Sequence, residues 1–323
     1  MASEPLQESE LQTTVLESSA GLRLEVLNLG AAVRALTIPL AGNRRNVVLG
    51  YANLRDYIND EYFVGVTVGP FANRIAAASF ELDGREFLLD ANETTTSHSL
   101  HAGELGLHRR IFDVVESAAG GSVLCRLHVA DQVDGFPGNR VFEINYEWLD
   151  GWSLAIDFIV STDRDTVVNL ANHCYFNLGG DLAAHQLRVL ADDYTPLDTT
   201  GIPTGDVQSV AQTKYDLRDW RRLGSESYDD NYVLRDGPDE GRVAAQLRSG
   251  LGDLQLDLAT TQPGLQVYTG DSLGDPFAAR AGLCLEAQRF PDTPNQPAFG
   301  SARLAAGDRY RQRSVLTFSF LSV

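Results

Sequence analysis

Lysine is almost absent. Lys214 is the single one among 26 basic residues, so arginine carries nearly all of the positive charge. Lysine Schiff-base chemistry, and with it a pyridoxal-phosphate enzyme, would have this one residue to use. It stands in QTKYDLRDW among surface-type neighbours, and that class is set aside. Methionine is limited to Met1, which excludes a Met-rich binding groove. The three cysteines, Cys125, Cys174 and Cys284, are odd in number and far apart. They offer no CxxC or Cys/His zinc spacing and read as small buried residues of a reduced compartment. Basic charge is short overall: 26 basic against 44 acidic residues leave −18. Such a surface repels phosphate backbones and anionic lipid, so neither nucleic acid nor a membrane is an expected partner. A neutral small molecule meets no such barrier. No apolar run approaches the ~18 residues of a membrane span. The opening MASEPLQESELQ is acidic and lacks the apolar core of a secretory signal, so a cytoplasmic protein is expected.

Period-two alternation runs through the chain. Phe142, Ile144, Tyr146 and Trp148 alternate with Glu143, Asn145 and Glu147; after Asp150-Gly151, Leu154, Ile156, Phe158 and Val160 alternate again. This predicts a hairpin with one buried and one wet face. A second hairpin is expected over 79–82 and 85–89 around Asp83-Gly84, with further strands at 22–26, 123–129, 254–258 and 316–320. Helical spacing is scarce; 97–107 and 217–223 have room for short turns at most. Many strands, Gly/Pro/Asp turns and no βαβ alternation indicate a mainly β protein, a large antiparallel sandwich with few short helices. The pattern continues to Phe320 without a linker or repeat, so one domain over 1–323 is expected, with 1–11 as a loose leading segment.

There is no phosphate loop before a helix, no GxSxG and no HExxH. What stands out is polar residues inside apolar strands. In VVNLANHCYFNL, His173 shares a face with Tyr175 and Asn177. In GLCLEAQRF, Glu286 lies between Leu285 and Ala287 and faces either solvent or a cleft. In a cleft, desolvation would raise its proton affinity and make it a competent base. In GPFANRI, Asn73 and Arg74 sit between apolar residues, Arg74 being an ion-pair partner or a ligand handle. His98, His101 and His108 have no carboxylate at ligand spacing, so no metal is expected.

These segments, taken together and in order, resemble the aldose 1-epimerase (galactose mutarotase) family. GPFANRI is similar to its G-R-x-A-N-R-I, HSLHAGELG to its L-H-G-G, VDGFPGN to its G-F-P-G-N, and NLANHCYFNLGG to its N-L-T-N-H-x-Y-F-N-L. DDYTPLDTTGIPTGDV, YDDNYVL, GLQVYTG and CLEAQRFPDTPNQPAF follow in the family's order. Three positions depart: Ala102 stands where glycine is usual, Pro70-Phe71 where an arginine is common, and Asp230 where a histidine often follows the aspartate. The resemblance implies a galactose mutarotase-like supersandwich that interconverts the α and β anomers of free aldohexoses such as galactose and glucose. It assigns the acid to His173 and the base to Glu286, and sugar positioning to Asn73, Arg74, His101, Asp229 and Gln266. No cofactor is implied, and the partner is a small aldose bound by a monomer or weak homodimer. A sugar-phosphate epimerase would need an arginine cluster, and a non-catalytic sugar-binding protein would have lost His173 or Glu286. A glycosidase would need two carboxylates about the scissile bond, Asp229 with Glu286, and would leave His173 without a role.

Overall fold

The computed structural model describes residues 6–40, 42–116, 121–235 and 242–321. Alternation has become antiparallel ladder. Arg140–Trp148 pairs with Ser153–Thr162, placing Phe142, Ile144 and Tyr146 opposite Val160, Phe158 and Ile156, all of them buried. The turn between them is held by Asp150, whose Oδ1 accepts from the Trp152 and Ser153 amides at 2.7 Å. Ser79–Leu82 and Arg85–Leu88 form the second expected hairpin. Among the described residues, helix is confined to 3-10 turns of three or four residues. Gly103–Leu105 supplies one inside 97–107, whereas 217–223 instead contains the short strand Arg221–Arg222, paired with Gln186-Leu187. Of the leading 1–11, residues 1–5 lie outside the described residues and Glu8–Glu10 forms a 3-10 turn. No helix among the described residues is long and apolar enough to cross a membrane.

Two sheets dominate the described residues. One has nine strands, with Ser153–Thr162, Arg309–Phe320 and Leu254–Thr260 at its centre. The other has six, in the order Tyr175–Phe176, Leu283–Gln288, Gly264–Tyr268, Asp229–Leu234, Ala191–Thr195, Gln208–Ser209. Their inner faces interdigitate: Ile156, Phe158, Leu258 and Leu316 from the larger meet Phe176, Leu285 and Ala287 from the smaller. Strand parity then turns Cys284, Glu286 and Gln288 to the opposite side. That side is covered too, by a second apolar cluster in which Tyr175 and Cys284 pack with Val64, Val66 and Val68. Leu283–Gln288 is therefore buried on both faces. A carboxylate in its middle has been carried into the interior.

Candidate active site

The site is built where the six-stranded sheet meets the loops that cover it. Gly264–Tyr268 and Leu283–Gln288 pair with Gln266 opposite Glu286, and Asp229 lies opposite Tyr268 on the next strand. Gln266 bridges diagonally, its Nε2 donating to Asp229 Oδ1 at 2.7 Å. From the covering layer, the two-residue ladder of Arg74-Ile75 with Ser99-Leu100 brings Asn73 and His101 together. His173 arrives from a break between short strands: Ala171-Asn172 pairs with Thr67-Val68, and Tyr175-Phe176 with Leu283-Cys284. The sequence reads as one continuous strand there. The chain instead changes partners at His173, whose backbone is held by Val66 O and the Gly65 amide at 2.9 and 3.1 Å.

A cleft of about 630 Å³ results, lined by Asn73, Arg74, His101, His173, Asp229 and Glu286. Gln266 acts through Asp229. The residues named from the sequence are thus brought to one place. Glu286 is 2% exposed and His173 4%, with Glu286 Oε1 and His173 Nε2 3.8 Å apart. Glu286 Oε2 is buried without a hydrogen-bond partner among the described residues. Burial, assisted by the negative charge of Asp229, raises the proton affinity of Glu286 well above its ordinary value. Burial also pushes His173 down to about 4, well below an ordinary imidazole. Each group resists its charged form. Together they favour holding one proton and no net charge.

The other histidines are fixed differently. The Asn73 amide donates to His101 Nδ1 at 3.1 Å, while the His101 amide donates to Asn73 O at 3.1 Å. With Nδ1 accepting, the neutral ring carries its proton on Nε2 and is a donor there. His101, His173 and Glu286 do place ligand-type atoms within 4.8 Å of one another, a grouping not visible in sequence spacing. Holding a metal would require His101 to surrender the Nε2 proton that its Nδ1 bond keeps in place, so the trio suits hydrogen bonding to a substrate better than coordination. His98 points elsewhere, Nδ1 accepting from the Ala77 amide and Nε2 lying 3.0 Å from Thr200 Oγ1. Arg74 is gripped by Glu93, with Nε–Oε2 at 2.9 Å and Nη2–Oε1 at 2.8 Å, an ion pair that also lines the cleft.

Of the departures, Ala102 adopts φ 67°, the left-handed conformation that glycine takes more easily. Asp230 turns its Oδ2 back to accept from the Asp229 amide at 3.1 Å. Phe71 is fully buried. Lys214, read from the sequence as a surface-type residue, also lines the cleft, as do Glu93, Phe63 and the tyrosines Tyr62, Tyr228 and Tyr268, which were not singled out from the sequence. They come from loops and strand ends with no local pattern marking them as facing a cleft.

Comparison with known proteins is consistent across sequence and structure. The family profile described as Aldose 1-epimerase matches residues 12–317. The aldose 1-epimerase of Haemophilus influenzae is 34% identical over 93% of this chain and 94% of its own, and human galactose mutarotase 33% identical over 92% and 91%. Among solved structures, an aldose epimerase homologue from C. elegans superposes with a TM-score of 0.90 at 29% identity, covering 97% of this chain and all of the other.

Proposed function

The chain belongs to the aldose 1-epimerase family and is a mutarotase, an isomerase of carbohydrates; on that premise we propose that Glu286 and His173 are its base and acid and that free galactose and glucose are its substrates. The observation that carries this reading is the buried carboxylate–imidazole pair, 3.8 Å apart on the wall of a sugar-sized cleft.

In the ionised arrangement of the pair, Glu286 accepts the proton of the C1 hydroxyl. The C1 oxygen becomes a carbonyl as the bond from C1 to the ring oxygen breaks. Protonated His173 delivers its proton to that leaving oxygen. Glu286 then holds the proton and His173 is neutral, the uncharged arrangement that burial favours. Rotation about C1–C2 presents the other carbonyl face, and the same transfers in reverse close the ring as the other anomer. One proton circulates and the pair's count is unchanged. Each positioned transfer is worth ~10²–10⁴-fold, ample for a reaction that already runs slowly in water.

The remaining groups are assigned to the sugar. His101 Nε2–H donates at the reacting end, Asp229 accepts from ring hydroxyls under the control of Gln266, and Asn73 and Arg74 complete the polar wall. Among the described residues, no phosphate clamp is built into this cleft. Arg74 is occupied by Glu93, and Lys214 Nζ donates to Ser227 O at 3.0 Å. Arg221-Arg222 belongs to the edge of the nine-stranded sheet. Polarimetry on freshly dissolved α-D-galactose and α-D-glucose tests the function; a decay no faster than that of buffer refutes it.

A further inference from the structure

Phe63 sits in a backbone conformation that an aromatic residue rarely adopts, with φ at 58°. The loop around it is secured on both sides. Asp60 Oδ1 accepts from the Tyr62 amide at 2.9 Å and from Tyr51 Oη–H at 2.8 Å, and Asp60 Oδ2 from the Val64 amide at 2.6 Å. The Tyr175 hydroxyl donates to Tyr62 O at 2.9 Å, and the Gly65 amide to His173 O at 3.1 Å, so the loop is tied directly to the segment carrying His173. What this fastening delivers is one ring. The Phe63 centroid lies 4.6 Å from that of His101, 4.8 Å from His108 and 5.7 Å from His173. The His101 and His173 rings are themselves perpendicular at 5.4 Å. Phe63 also lines the cleft and is only half-buried, so it is not a core side chain forced into an awkward turn by packing alone. An unfavourable backbone state maintained by surrounding bonds is a reason to look for function at that residue.

We propose that Phe63 is a positioning residue: its ring braces the imidazoles of His101 and His173 against each other and keeps water off the acid. This rests on the assignment of His173 as that acid. Besides Phe63, His173 faces Glu286 at 3.8 Å, Cys284 Sγ at 3.6 Å, and the rings of Tyr175 at 5.0 Å and His101 at 5.4 Å. His108 lies behind Phe63, Asp229 stands near Glu286, and Arg74 near His101. Of these groups the Tyr175 ring also presents aromatic surface to His173, whereas Phe63 is the ring that lies against His173 and His101 together.

Phe63→Gly separates this role from packing, because glycine takes positive φ without strain while the ring is lost. The variant should keep its melting temperature within a few degrees. Its kcat should fall ~10-fold or more, as expected for misplaced reacting groups, with KM changing less. The His173 C2–H titration, followed by NMR and assigned with His173→Asn, should move up by at least about one pH unit toward the ordinary imidazole value. Phe63→Leu, which restores apolar bulk, should recover most of both. Wild-type kcat and an unmoved titration in Phe63→Gly overturn the proposal. Loss of the fold in that variant overturns it as well, since the ring would then be a packing residue. The titration is read without turnover, so its outcome stands apart from that of the acid assignment itself.

Discussion

The pH dependence of turnover follows from how the pair holds its proton. An ordinary imidazole is half-protonated at 6.5, and burial moves His173 down to about 4. Glu286 is moved the other way, well above 4.5, by burial and by Asp229. Between these limits the pair keeps one proton, on either partner, and the rate is flat. Below about pH 4 a second proton arrives and no base remains. Above the raised Glu286 value the single proton is lost and no acid remains. Both limbs belong to the coupled pair rather than to one residue. At pH 5, an acid limb near 4 leaves about 90% of the plateau kcat/KM, whereas an ordinary imidazole limb would leave about 3%. The assay is the anomer-exchange rate of galactose between pH 4 and 8, corrected for the spontaneous reaction, with circular dichroism confirming the fold at each point. A half-maximal point near 6.5 refutes the one-proton pair.

Stability should fall in acid for a related reason. His108 is pushed down to about 3 by burial and the Arg109 charge, so between that value and 6.5 the unfolded chain binds more protons than the folded one. Stability is therefore lost as pH falls through this window, by up to ~1.4 kcal/mol per pH unit for such a group, and His108→Gln should flatten the slope in urea titrations. Asp134 and Arg140 form a fully buried pair behind the GFPGN turn, with Nη2–Oδ1 at 2.7 Å. Arg140→Met orphans the carboxylate and should cost about 3–5 kcal/mol by chemical denaturation; a loss below ~1 kcal/mol would contradict the pairing argument. Gln266→Leu frees the Asp229 carboxylate from its 2.7 Å bond. It should raise KM for galactose ~10-fold or more, about what one hydrogen bond to a charged group is worth, while the pH limbs stay in place. Dialysis against EDTA should leave the anomer-exchange rate unchanged, since the chemistry needs proton transfer alone; loss of rate restored by zinc would overturn it.

The hairpin strands Arg140–Trp148 and Ser153–Thr162 were legible because each has one face in the core, so burial is written as alternation. Leu283–Gln288 was legible as a strand but not as to which way Glu286 faces, because both of its faces are buried and alternation no longer separates inside from outside. The apparent strand through His173 is a change of partners between two ladders, a long-range event that local propensity does not record. The altered proton affinities of His173 and Glu286 depend on that enclosure, so the sequence could name the residues but not their charge state. Glu93 and Phe63 were invisible for a related reason. One is the ion-pair partner of an arginine 19 positions away, the other a loop aromatic whose ring neighbours His101, His108 and His173 are all remote in sequence. The motifs of the resemblance supplied the positions, and the fold supplied the chemistry.

The assignment of Glu286 as the base is tested most directly by replacing it with its amide. Glu286→Gln keeps the shape and hydrogen-bonding capacity of the side chain but cannot take the C1 hydroxyl proton. Polarimetry of fresh α-D-galactose should show kcat reduced by ~10²-fold or more, while ligand-observed NMR still detects sugar binding. Wild-type turnover in Glu286→Gln would contradict the account.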